Sequence, residues 1–321
     1  DSVILRFASL DLVRSEWRRY EYSFREGSEM ITIPEPKDAG FDISVVNIEE
    51  NSERAPVNYI LPPGVGREID PYNTQLRQLN EQSLELKVED LQDGDARATY
   101  RNVDLDMRKY KRLKMEVHAE AIDETMLDDD EVTVFIRLGS DYKTNFYEYE
   151  VPMKLTPHNK GNNTYNENSK SDRLLVWPEE NRFDIPLEVF QKVKQQRNSE
   201  EYESPQVDMT TVFSIVDEEN PGNVVKISGN PNLSNIRTLM IGIRNPKQSN
   251  RRLDQDDGLP KSAIVWVNEL RLSEFDEKGG WAANARLNTQ LADLGSITIS
   301  GNTSTAGFGS IEQKVDERQK E

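Results

Sequence analysis

Apolar and charged residues alternate with a period of two along much of the chain, which turns one side of each segment toward a core and the other toward water. Leu113, Met115, Val117 and Ala119 alternate with Lys114, Glu116, His118 and Glu120. Val132, Val134, Ile136 and Leu138 repeat the pattern, and Tyr147, Tyr149 and Val151 do so around Glu148 and Glu150. The same reading predicts strands at 20–24, 42–48, 84–88, 173–177, 211–216, 224–227, 236–243 and 262–272. Helical patterning is sparse. The best case is 186–196, where Asp184 can cap, Pro186 opens the first turn, and Leu187, Phe190 and Val193 form a stripe; a second runs from Asp70 to about Leu79. Many short strands with one or two small helices predict an all-β fold, a jelly-roll-like β-sandwich.

Three long polar stretches, 157–172, 195–206 and 244–261, are too poor in apolar residues to offset the entropy of ordering and read as surface loops. After Phe275 the pattern changes. Trp281, Ala283, Ala285, Leu287, Thr289 and Leu291 alternate with Ala282, Asn284, Arg286, Asn288 and Gln290. Asp293-Leu294-Gly295 supplies a turn, and Ile297 and Ile299 resume against Thr298 and Ser300. A strand of about ten residues, weakly apolar on one face and rich in amides and hydroxyls on the other, with an aromatic at its end, has the pattern of an outer-membrane barrel hairpin. The predicted organisation is therefore a sandwich module over 1–275, a barrel-type hairpin over 276–305 and a polar tail over 306–321.

Composition narrows the chemistry. The 321 residues include 58 Asp and Glu against 40 Lys and Arg, a net charge of −18, with two His and no Cys. The excess of negative charge disfavours nucleic acid and anionic lipid surfaces. Thiol catalysis, iron–sulfur clusters and zinc ribbons have no ligands here. No apolar run approaches the ~20 residues of a spanning helix, a filter through which barrel strands pass unseen. The abrupt start at Asp1, on what reads as a strand, points to a piece of a longer protein.

No nucleophile elbow or phosphate cradle is present; Gly64-Val65-Gly66 continues as Arg67-Glu68-Ile69 and reads as a turn. His118 alternates onto the charged face of its strand and His158 sits in a polar loop, so both read as surface residues and no enzyme is predicted. Acidic loops around Asp128 and Asp130, and around Asp254 and Asp256, offer oxygen ligands for a structural calcium ion without the full EF-hand spacing; no other cofactor is expected. Tyr142 and Phe146 are candidate sugar-stacking aromatics, and Tyr147 and Tyr149, on the face of Val151, read as core.

Six stretches together, 8–24 (ASLDLVRSEWRRYEYSF), 55–68 (APVNYILPPGVGRE), 78–100, 106–121, 265–287 (VWVNELRLSEFDEKGGWAANARL) and 291–313, resemble the SprA-type proteins of Bacteroidetes. The resemblance implies an internal segment of a large outer-membrane β-barrel, the translocon of the type 9 secretion system that also serves gliding motility. It further implies subunits of that machinery and exported protein cargo as partners. Joined to the alternation, it leads us to expect the module on the extracellular side, inserted between barrel strands and capping the exit or docking partners, with Trp281, Leu287, Leu291, Ile297 and Ile299 on the barrel hairpin. The alternatives are a carbohydrate-binding jelly-roll module, with a glycan as partner, and a cell-surface adhesin domain.

Overall fold

The computed structural model describes residues 17–25, 33–34, 40–67, 78–159, 164–203, 209–248, 257–275 and 281–305. In chain order the strands are β1 (Arg18–Arg19), β2 (Tyr22–Arg25), β3 (Ile33–Pro34), β4 (Gly40–Asn47), β5 (Gln82–Leu91), β6 (Asp95–Leu105), β7 (Tyr110–Ala121) and β8 (Thr133–Gly139). They continue as β9 (Phe146–Pro152), β10 (Phe183–Pro186), β11 (Phe213–Val216), β12 (Val224–Ser228), β13 (Ile236–Arg244), β14 (Lys261–Phe275), β15 (Ala282–Leu291) and β16 (Gly295–Ser304). Among the described residues three α-helices lie between them: α1 (Ile48–Asn51), α2 (Lys170–Val176) and α3 (Glu188–Glu203).

The fold is mostly β and built from antiparallel sheets. Among the described residues the larger sheet runs β11-β12-β9-β8-β13-β6-β2-β3, with β1 also on β6, and the smaller runs β10-β7-β14-β5-β4. The two inner faces make one core, as the alternation predicts. Leu86, Val88, Met115, Val117, Val265 and Val267 from the smaller sheet join Val134, Ile136, Tyr149, Val151, Leu239 and Ile241 from the larger. Strands β15 and β16 form a separate two-stranded sheet, and no closed barrel exists within the described residues.

The outer faces are where structure and periodicity part. Glu148 and Glu150 alternate with core residues but are themselves buried, as are Arg137 and Lys226 on the two neighbouring strands and Arg244 one strand further, on β13. Register explains this: Arg137 lies opposite Glu148, and Lys226 opposite Glu148 on the other side, so charges of opposite sign meet across three strands. Beside them Tyr20, Phe24, Phe135 and Met240 pack over Ala96 and Ala98 in a second apolar cluster. Small side chains make room for these rings. A Cβ at Gly242 would come within 2.4 Å of the Phe135 ring.

The outer face of the smaller sheet is covered too. Val57, Tyr59, Ile60 and Leu61 form a third cluster with Val176, Trp177 and Trp266. His118, expected on a wet face, is fully buried there, its ring 3.9 Å from that of Trp266.

Two loop expectations are corrected. Residues 170–176, read as loop and then strand, are helix α2, because Ser169 caps it by accepting from the Asp172 N–H while its hydroxyl donates to the Asp172 carboxylate. The polar stretch from Gln195 is the second half of α3, anchored by the buried Leu187, Phe190 and Val193 of its predicted stripe. The helix expected over 70–79 falls mostly outside the described residues.

Candidate functional site

Strands β15 and β16 pair in unbroken register from Ala282 opposite Ser304 to Leu291 opposite Gly295. A 3-10 turn at Ala292–Leu294 joins them, and Gly295 at φ 135 occupies a conformation that L side chains rarely adopt. At the open end the Thr305 N–H donates to Trp281 O at 2.9 Å, and the Trp281 N–H to Thr305 Oγ1 at 2.8 Å. Because directly opposed residues share a face, Leu287 with Ile299 and Thr289 with Ile297 line one side, together with Leu291, Ala283 and Ala285. Asn284 with Asn302, Arg286 with Ser300 and Asn288 with Thr298 line the other.

All five residues predicted for this hairpin are brought onto that first face or its end. Leu287 is 60% exposed, Ile299 61% and Trp281 59%. Ten residues at ~3.4 Å each, tilted by ~45°, rise about 24 Å, which matches the ~25 Å apolar band of an outer-membrane barrel. Arg286 is the one charged residue in the two strands.

The two candidate stacking aromatics part company. Phe146 is fully buried, and the Arg137 guanidinium lies 3.8 Å from its ring centre, so Phe146 belongs to the interior rather than to a surface platform. Tyr142 packs at 4.8 Å on Tyr100 and 5.9 Å on Tyr20, and its hydroxyl donates to Asn102 at 2.7 Å. Burial of this phenol, with Tyr100 beside it, pushes its pKa up to about 12. Tyr147 and Tyr149 sit in the main core as predicted.

The acids of the 128–131 loop are engaged by protein groups, with Lys154 shared between Asp129 and Asp130. The Asp130 carboxylate takes the Lys154 ammonium at 2.6 Å, Asp129 accepts from the Leu155 N–H, and Glu131 takes Lys261 at 2.8 Å. Asp128 is exposed. Among the described residues no three acidic or imidazole side chains come together as metal ligands, and Asp254 and Asp256 lie outside those residues.

Two polar clusters escaped the sequence reading. In the first, Glu148 is bound by Arg137 at 2.8 and 2.5 Å, by Arg244 at 3.0 Å and by Lys226 at 3.1 Å, while Glu150 takes Lys226 at 2.5 Å. Burial alone would raise the Glu148 pKa, but the three cations hold it well below the usual carboxylate range. In the second, Glu120 is bound by Arg54 at 2.6 Å with His118 3.9 Å away, and these neighbours outweigh burial and lower its pKa. His118 Nδ1 lies 2.7 Å from Val176 O and 3.0 Å from the Thr156 hydroxyl. The available signal was Arg and Glu at alternate positions on strands that read as adjacent, but only pairing order turns that into a cluster.

A family model described as motility related/secretion protein, SprA_N, matches residues 1–321. No curated protein matches the chain.

Proposed function

The chain belongs to the SprA_N family of motility-related secretion proteins, matched over its whole length, and from that premise we propose that it is a non-enzymatic segment of an outer-membrane protein-secretion translocon. In this reading β15 and β16 are two neighbouring strands of the barrel wall of the type 9 secretion system, and the sandwich is an insertion between barrel strands that caps the exit or docks partners and cargo. The observation that carries it is the amphipathic hairpin: ten-residue strands in register, one face apolar and exposed, the other rich in amides and hydroxyls.

Barrel strands are joined by short periplasmic turns and long extracellular excursions. The tight turn at Ala292–Leu294 therefore faces the periplasm in this reading, and the sandwich lies on the extracellular side. The wiring of the sandwich supports a jelly-roll reading: β5, β14, β7 and β10 oppose β6, β13, β8 and β9, and apart from the β8–β9 step each of these strands is followed by one in the other sheet along β5 to β10.

These 321 residues contain no Cys, so a direct test needs only that any cysteine elsewhere in the full-length protein be replaced first. Leu287→Cys and Asn288→Cys are introduced singly into the full-length protein in outer membranes and labelled with a polarity-sensitive dye. A dye at 287 quenched from the lipid phase and one at 288 reached by aqueous quencher support the wall assignment. Equal aqueous access at both positions refutes it.

A further inference from the structure

The edges of the two sheets differ in how they are guarded. Exposed edges invite pairing with other chains and are commonly blunted by shortness, Pro, Lys or bulges. Strand β11 has four residues, β3 ends in Pro34, and β10 has four residues, ends in Pro186 and holds Asp184 between Arg112 and Lys114. Strand β4 has none of these devices. It runs eight residues, Gly-Phe-Asp-Ile-Ser-Val-Val-Asn, without Pro, Lys or Arg, and pairs without a bulge along its whole length with β5, its single strand neighbour among the described residues.

The core is also incomplete at this edge. Phe41, Ile43 and Val45 point to the inner side of the sheet; Phe41 is buried, Ile43 is half-buried and Val45 is 41% exposed. Opposite them a groove of about 260 Å³ separates β4 from Trp17 and Arg19 of the other sheet, lined on the β4 side by Asp42, Ile43, Ser44 and Val45. The Arg19 guanidinium stands 5.5 Å from the Phe41 ring. A strand added to β4 would satisfy its outer backbone groups and drop every second side chain into this groove, where apolar groups close the core.

We propose that β4 is a docking edge for an extended peptide of a second polypeptide, joined as an added outer strand with apolar side chains at alternate positions. Its remaining side chains are neutral or basic, because the host chain carries a net charge of −18. Main-chain hydrogen bonds supply the attachment and the groove supplies the selectivity, the usual division in strand addition.

The test uses hydrogen exchange on the intact chain, with a synthetic peptide that alternates valine with threonine and lysine as the probe. With saturating peptide, exchange over residues 43–46 slows about tenfold or more. Val45→Lys, at a position exposed enough to hold a charge without unfolding the sandwich, abolishes the slowing, and Val45→Ile keeps it. Circular dichroism and tryptophan fluorescence establish that both variants are folded. Unchanged exchange at saturation, or equal slowing in Val45→Lys, overturns the proposal. So does protection that is already present without peptide and disappears on removal of residues 1–16, since the chain's own N-terminus then fills the edge.

Discussion

Arg137 and Glu148 form a two-pronged ion pair, at 2.8 and 2.5 Å, with both side chains shut away from water on the outer face of a sheet. The Arg137 guanidinium is at the same time stacked on Phe146 at 3.8 Å and lies 4.7 Å from the centre of the Phe24 ring. A buried pair of this kind adds little net stability over apolar residues of the same volume, but removal of one partner strands the other. Glu148→Gln removes the negative charge that Arg137, Arg244 and Lys226 share and turns an amide NH2 toward the donors on one of the two oxygens; it is expected to cost about 3–5 kcal/mol, read from urea denaturation. A loss under 1 kcal/mol, on the order of a surface pair, would mean that solvent reaches the cluster.

The same carboxylates set an acid limit. Glu148 and Glu150 have folded-state pKa values lowered by neighbouring cations, and Glu120 by His118 and Arg54, in each case against the effect of burial. A depressed carboxylate contributes stability above its unfolded value, about 4.3 for Glu, and loses it as pH falls through the folded value. The sandwich is therefore expected to hold near-constant stability from neutral pH to about 5 and to lose it steeply below about 4. Thermal melts across that range check this, and Glu148→Gln should flatten the slope.

Gly242 tests the packing of aromatic rings over small residues. Its Cβ would meet the Phe135 ring at 2.4 Å and the Arg97 carbonyl at 2.5 Å. Gly242→Ala should destabilise by about 1–3 kcal/mol through overpacking. Double substitution with Phe135→Leu should recover part of the loss in the same denaturation assay.

His118 bridges the sheet and the segment that covers it. His118→Ala removes the stack on Trp266 and the hydrogen bond near Val176 O, at a cost of about 1–3 kcal/mol. Proteolysis should then cut within 52–65 faster than in the parent, while the inner core keeps its near-ultraviolet spectrum.

For the hairpin, charge placement separates the two faces. Leu287→Lys puts an ammonium on the apolar face and, in a barrel wall, costs about 2–4 kcal/mol at mid-depth, whereas Asn288→Lys on the polar face costs little. Heat-modifiable migration of the full-length protein in outer membranes should be weakened by the first and not by the second.

Periodicity located most of the sandwich because the inner faces obey it: β7, β8, β9, β13 and β14 were all legible from alternation. Strand β6 was not, since its core-facing positions are Arg97, Thr99 and Arg101, opposite Ile243, Ile241 and Leu239, and its outward positions are Ala96 and Ala98, whose value lies in the space they leave for Tyr20 and Phe24. Strand β10 is only four residues long, and helix α2 depends on the Ser169 cap rather than on an apolar stripe. The hairpin was visible in full, down to Gly295, because strands that carry their own turn need no distant partner to define them. His118 and the Glu148 cluster stayed hidden for the opposite reason: a charged side chain reads as wet until its neighbours across the sheet are known.

The covering of both outer faces has a geometric outcome. Many two-sheet modules present one broad bare sheet as a concave floor on which a ligand can lie. In this molecule the floor of the smaller sheet is tiled by Trp177, Tyr59 and Ile60, while much of the larger one is filled by the sheet's own side chains, Phe24 of β2, Phe135 of β8 and the ion cluster. If the module docks partners as proposed, then among the described residues it is the borders, such as the rim of β4, the loop ends and the hairpin, that are left to do so.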